Sequence, residues 1–432
     1  HEPSGANGGR VKHVASGSLL DNFLAVAHET SGANVGKVRA ADSLYVPSPG
    51  TVQSTVQTRI RKIVYISDFT DNSLNTAVSS IGATPTTLYI DTSAVCTTSL
   101  TVPNTIQLII PITGSIAITG TLTINAPFTC GRYRVFTGSG TVVFGLINEA
   151  YPEWWGFSSG STETLNSTAL QAAINSNAPT ISLLNGSFSY NTGITINREI
   201  VFAGAGASEN KTSQGSSGAS TTTLNYVGTD IGILLQGSVS GVANIHLSDF
   251  NLVGTVVANG GICCGDVTPG EWVTHGSLKN ITVQKFTKTG GYGIRLRRVL
   301  ETYLENIQTR LNHDGLVSLT GDVATTIRTK NFYSGSNNRN GYRFTGYISG
   351  STFSDLIAES NYYEGLYIYG SGGNIFTTND FYSYYSEANQ GTGGIAPIAM
   401  DSSDTAGIPV YNNFFGGNVL DPVGVKSISL GY

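Results

Sequence analysis

Charge is scarce in this chain. Lysine, arginine, aspartate and glutamate make up 12% of its 432 residues and sum to a net charge of −5, with no block of Lys or Arg. A duplex binder needs clustered cations to displace counterions, so nucleic acid is excluded as a partner. Long apolar runs are missing too. No stretch of about 18 uninterrupted apolar residues occurs, which removes a membrane-spanning helix and, with it, a membrane as partner. Four cysteines (Cys96, Cys130, Cys263 and Cys264) are too few for a disulfide framework, and the adjacent Cys263 and Cys264 would face opposite sides of a strand. With no Cys-x-x-Cys pair and no His-rich cluster, neither a metal nor another cofactor is expected. The opening HEPSGANGGR lacks the basic start and apolar core of a signal peptide, and its first residue, His1, points to a processed or trimmed chain.

What is plentiful is glycine, with 53 residues, and tyrosine, with 21, among abundant Ser, Thr and Asn. Such a composition is poor in helix formers and rich in strand and turn residues, so the class is all-β. The length exceeds what one ordinary globular core organises, which leaves several domains or a repeat.

A repeat is written into the second half. The phrases HLSDF, SLKNI, YLENI, IRTKNF, TFSDL, FTTNDF and VYNNF align Asp249, Asn280, Asn306, Asn331, Asp355, Asp380 and Asn413. By subtraction these lie 31, 26, 25, 24, 25 and 33 residues apart, one period with two insertions. A second phrase, GGI, YGI, DGL, NGY, EGL and GGI, ends at Ile262, Ile294, Leu316, Tyr342, Leu366 and Ile395. A unit of about 25 residues made of short strands and sharp turns fits one coil of a right-handed parallel β-helix. No fixed Leu ladder of a leucine-rich repeat is present. Asn and Asp fall where a left-handed corner residue is wanted. One coil cannot cover its own apolar face, whereas stacked coils pair strand on strand at about 4.8 Å.

A more specific pattern occupies 151–207: YPEWWGF, then STALQAAI, then TISLLNGSFSYNTGITINREIVFAGAGA. A short amphipathic helix over Ser167–Ile174, with Leu170 and Ile174 inward, would cap the first coil. This order resembles the start of the pectate-lyase-like β-helix domain of bacteriophage tailspikes, in which a Trp-Gly or Phe-Gly motif precedes an acidic turn, an Ala-rich helix and a Gly-punctuated strand series. Here the turn reads SSGSTETLNST, a departure from the acidic pattern. Upstream, GTVQSTVQTRIRKIVYISDF resembles the neck of such proteins, and TSLTVPNTIQLIIP…GTLTINAPFTCGRYRVFTGSGTVVFG their small β region.

The resemblance implies an N-terminal attachment and neck segment over 1–60, a small β domain over 61–150 and the parallel β-helix over 151–432. It further implies a homotrimer on the virion, joined to phage tail or baseplate proteins through the N-terminus and acting on a bacterial surface polysaccharide: capsule, exopolysaccharide or O-antigen. Tailspikes share a fold but not their catalytic residues, so the site has to be argued locally.

On the repeat alignment, one outward column after the Asn/Asp corner reads Thr282, Gln308, Tyr333, Ile357, Tyr382, and the next Gln284, Arg310, Gly335, Glu359, Tyr384. After the Gly corner an outward column reads Arg295, Val317, Arg343, Tyr367, with Tyr369 beyond it. Stacked Tyr and Arg suit sugar rings and acidic sugars, so Arg295, Arg343, Tyr362, Tyr367, Tyr369, Tyr382 and Tyr384 are candidate substrate-binding residues, with Trp272 as a possible wall. Such tyrosines equally suit any exposed strand.

The corner column Tyr292, Asp314, Asn340, Glu364 places two carboxylates two coils apart, roughly 9.6 Å by strand spacing. That is the upper end of the roughly 6.5–9.5 Å of an inverting glycosidase. Glu364 and Asp314, with Glu359, are therefore the candidate catalytic residues for glycosidic hydrolysis; the bland alternative for each is a solvated turn or an ion pair with Arg310 or Arg343. His313 beside Asp314 is a conceivable proton shuttle. Glu301 and Glu305 are expected to pair with Arg297 or Arg298. Two other functions stay open: a binding fibre without catalysis, and a lyase using Arg295, Arg343 and Tyr367.

Overall fold

The structure is a computed structural model that describes residues 62–207, 221–237, 242–265, 272–370, 376–389, 398–402, 412–420 and 429–430. The attachment and neck segment expected over 1–60 lies outside them, as do Glu271, Ile395 and Asp404. The chain is a parallel β-helix. From Ile245 onward three parallel sheets form its walls. The first contains Ile245–Val253, Ser277–Gln284, Tyr303–Arg310, Arg328–Gly335, Leu356–Glu359 and Asp380–Glu387; the second contains Gly260–Cys264, Tyr292–Leu296, Asp314–Ser318, Tyr342–Phe344 and Leu366–Gly370. The third holds short strands such as Val273–Thr274, Arg298–Leu300 and Val323–Thr325.

The segment expected as a small β domain over 61–150 repeats this plan in miniature. Thr86–Tyr89, Ile106–Ile110 and Phe128–Cys130 pair in parallel on one wall, Ser93–Cys96, Ser115–Ile118 and Phe136–Gly138 on a second, and Leu100–Val102, Thr121–Ile124 and Thr141–Phe144 on a third. Alternation of side chains explains the interior: Ile106, Leu108 and Ile110 point in and are buried, while Gln107 and Ile109 are half-buried between them. One apolar cluster runs from Val64 to Tyr384 without a break. YPEWWGF sits at the join, where Trp154 and Trp155 pack on Phe128, Phe136 and Phe144, and Trp154 Nε1 donates to the Gly131 carbonyl at 3.0 Å.

The expected helix is longer than the motif suggested, Glu163–Asn175. Its N-cap is Thr162, whose hydroxyl accepts from Leu165 N at 3.3 Å, and Leu170 and Ile174 are fully buried as anticipated.

Two asparagine ladders fix the stacking. At the outer corner Asp249, Asn280, Asn306, Asn331 and Asp355 all have φ between 53° and 63°, a left-handed conformation that Asn and Asp tolerate better than other side chains. The second ladder is internal: Asn312 N donates to Asn337 Oδ1, Asn337 N to Asn361 Oδ1 and Asn361 N to Asn389 Oδ1, at 3.0–3.1 Å. Each buried amide thereby satisfies the backbone of the coil beside it.

The final coils correct the sequence register. Asp380 pairs with Thr352 and with Asn413, so neither Asp380 nor Asn413 is a corner residue. Ser383, at φ 58°, and Gly416, at φ 70°, take those corners instead. Likewise Ile398, not Ile395, pairs with Leu366 in the next coil. The slip arises because FTTNDF mimics the corner phrase three residues too early.

Candidate functional site

The two corner carboxylates are where the repeat put them. Tyr292 pairs with Asp314, and the registers Leu316 to Tyr342 and Tyr342 to Leu366 carry that column on through Asn340 to Glu364. Asp314 is 2% exposed and Glu364 3%. Buried carboxyls need compensation, and their partners differ. Asp314 Oδ1 accepts the Asn340 backbone N–H at 3.1 Å, while Oδ2 stands 3.3 Å from Arg343 and 3.5 Å from His313 Nδ1. Burial pushes the Glu364 carboxyl above the ordinary range, and the nearby Asp314 charge adds to this; its own backbone amide, Arg339 and the Asn340 side chain pull back. Asn340 therefore lies between the acids, serving one with its backbone and the other with its amide. Its own Oδ1 is shielded from solvent with no hydrogen-bond partner in the protein.

Glu359 belongs to a different group, across the short turn 360–364. It ends Leu356–Glu359 in register with Gly335 and Glu387. Tyr333 bonds to Glu359; burial, with the Glu359 charge, pushes that phenol up to about 12. Tyr385 donates to Glu387 at 2.6 Å. Glu387 and Arg339 were missed by sequence reasoning. The register slip put Tyr384 at the position Glu387 holds, although ESN at 359–361 and EAN at 387–389 are a matching signal.

The aromatic strip does not hold together. Tyr384 is a correction: it points inward, is 3% exposed and belongs to the apolar core, because a slip by an odd number of residues, here three, reverses the face a strand residue presents. Tyr382 is 40% exposed but lies before the Ser383 corner, stacked on Phe415 at 4.9 Å, rather than beside Tyr333. Tyr362 is exposed on the turn and meets Tyr363 edge-on at 5.4 Å. Tyr367 and Tyr369 stack at 6.2 Å on the second sheet, with Tyr367 next to Arg343 in register.

Trp272 is half-buried at the start of the third sheet's strand Val273–Thr274, away from the Glu359 group. Arg295 is a second correction. Its guanidinium forms a fork with the buried Asp322, Nε at 2.9 Å and Nη2 at 2.8 Å, so the fork expected to grip an acidic sugar is closed within the chain. The Glu305 and Glu301 partners also differ from expectation: Lys279 at 3.2 Å and His275 at 2.5 Å. Among the described residues no group of three or more His, Cys, Asp or Glu is placed to hold a metal ion.

A groove of about 400 Å³ runs along the outer corner ladder and reaches Tyr333. Gly206 and Ala207 form one wall, held by Gly206 N donating to the Asp249 carbonyl at 2.8 Å.

No protein-family model matches the chain, and no curated protein is similar to it in sequence. Among solved structures, the Dettilon tailspike protein superposes with a TM-score of 0.42 at 12% identity, over 66% of this chain and 64% of that one. The A-module of a mannuronan C-5 epimerase of Azotobacter vinelandii gives 0.41 at 15% identity, over 65% and 92%. The ORF18 protein of Geobacillus virus E2 gives 0.38 at 14% identity over 63% of this chain, which spans 62% of that protein's length.

Proposed function

We propose that this chain is a bacteriophage tailspike that binds a bacterial surface polysaccharide and cuts it by glycosidic hydrolysis. One observation carries the reading: Glu364, a buried carboxyl with raised proton affinity, shares a corner column with Asp314, which Arg343 and Asn340 hold in place. Glu364 is the general acid, a role that needs the proton retained toward neutral pH. It donates that proton to the glycosidic oxygen as the bond to the anomeric carbon breaks. Asp314 accepts a proton from the water whose oxygen attacks that carbon from the opposite face. The separation of roughly 9.6 Å across two coils suits inversion. Tyr362, Tyr367 and Tyr369 flank the corner as sugar-contacting surfaces, and Glu359 with Tyr333 forms a neighbouring polar subsite. As the resemblance at 151–207 implies, three chains associate on the virion and residues 1–60 join them to tail or baseplate proteins.

A binding fibre without cleavage is the reading that the deep burial of both carboxylates favours. A lyase is disfavoured because Arg295 and Arg343 already face Asp322 and Asp314. Incubation with capsule from a susceptible host separates the three: new reducing ends mean hydrolysis, unsaturated uronate absorbance means elimination, and neither means binding alone. Glu364→Gln is expected to lower depolymerisation by about 10² to 10⁴ while leaving binding intact. An unchanged rate removes Glu364 from the mechanism.

A further inference from the structure

The outer corner ladder is more than a structural device. Asn280 Nδ2 donates to Asp249 Oδ1 at 2.8 Å, Asn306 Nδ2 to Asn280 Oδ1 at 2.9 Å and Asn331 Nδ2 to Asn306 Oδ1 at 2.8 Å. A carboxamide has two N–H groups and an oxygen with two lone pairs. Within the ladder each interior amide uses one of each, so Asn280 and Asn306 both keep a donor and an acceptor for the groove they line. The pattern recurs at about 4.8 Å per coil, so the four rungs span roughly 14 Å along the helix axis.

Two further features point to a ligand. Gln308 lines the same groove, and its Oε1 is shielded from solvent with no hydrogen-bond partner in the protein, an arrangement that costs free energy unless something donates to it. Tyr333, 5% exposed and bonded to Glu359, lines the groove's far end. The charge pattern is equally informative: among the described residues that line the groove, Asp249 is the one ionisable carboxyl and none is Lys or Arg.

We infer that this groove binds a few units of an uncharged, hydroxyl-rich glycan lying along the helix axis, with the spare amide donors and acceptors taking sugar hydroxyls. Paired donors and acceptors suit hydroxyls, which are both at once. A polymer of uronates or phosphates would meet no cation among the described residues that line the groove. This rests on the polysaccharide reading above but not on Glu364 being the acid.

The test uses the full chain on an array of structurally defined bacterial capsular and O-antigen polysaccharides, with neutral and acidic members, and titration calorimetry on the best binder. Two variants probe the groove: Gln308→Ala, and Asn306→Gly, which suits the left-handed backbone at φ 53° while removing the amide. Circular dichroism and thermal unfolding check that each is folded. The expected result is retention of neutral polysaccharides, weakened at least tenfold by either variant. Binding of acidic members alone, of no member, or binding indifferent to both folded variants overturns the proposal. Reducing-end release by the wild type and Glu364→Gln is read separately, so the hydrolytic mechanism can fail while the groove stands.

Discussion

The coils before residue 150 and those between 310 and 364 use the same three-walled plan with opposite treatment of charge. Among the described residues of the first region the buried polar side chains are Thr86 and Thr87, and no charged side chain is buried. In the second, Arg310, Asp314, Asp322 and Glu364 are all buried. A coil that only has to stack needs an apolar interior and satisfied backbone, which Ile106, Leu108, Ile116 and Leu122 supply. Burying carboxylates at the corners of the same scaffold adds a desolvation cost that stacking does not require. Such local departures are where function is expected to sit.

The sharpest way to break this contrast is Glu364→Gln, which is predicted to change activity and stability in opposite directions. Depolymerisation falls by about 10² to 10⁴. Because burial raises the folded-state pKa of Glu364, its contribution to stability is full below the ordinary glutamate value of about 4.3 and is lost as pH rises through the raised value. Glutamine carries no such loss. Thermal unfolding should therefore show the variant's stability rising relative to the wild type's between pH 4 and pH 8; a variant that falls relative to the wild type over that range contradicts the assignment.

In the N-terminal coils Leu122→Ala should cost about 2–5 kcal/mol in denaturant unfolding, with the specific activity of the folded fraction unchanged. Next in size is Arg295→Ala. It leaves Asp322, 2% exposed, without its bidentate partner, though the Leu319 N–H still donates to it at 2.7 Å. A loss of about 2–3 kcal/mol is expected, below the full figure for a buried pair because Arg295 is itself partly exposed. The smallest effect is Ser383→Gly, a gain of about 1 kcal/mol from relieving a left-handed backbone, measurable as a shift in denaturation midpoint.

Much of the architecture was legible because stacking imposes a period. The corners at Asp249 through Asp355 and the column Asp314, Asn340, Glu364 were read in the right register from the apolar-x-x-Asn/Asp and Gly-apolar phrases alone. That reading failed where Asp380 imitates a corner residue, and a three-residue slip was enough to send Tyr384 into the core and hide Glu387. The internal asparagines of RLN, GSN, ESN and EAN, at 312, 337, 361 and 389, would have held the register, since each is tied to the next coil by its backbone. Pairings such as Arg295 with Asp322, or His275 with Glu301, depend on which side chains adjacent coils bring together, and no period in a single chain encodes them. The groove was likewise invisible: its corner residues were read as turn formers, and its second wall, Gly206 and Ala207, comes from a coil before the recognised repeats.

Under the proposed mechanism Glu364 and Asp314 work as an acid and base two coils apart. Proton NMR of the first-formed reducing end, recorded before mutarotation on capsule from a susceptible host, tests it most directly. The expected product is a new reducing end whose anomeric configuration is inverted relative to the cleaved linkage. A retained configuration, or an unsaturated uronate in place of the hydrolytic product, would contradict it.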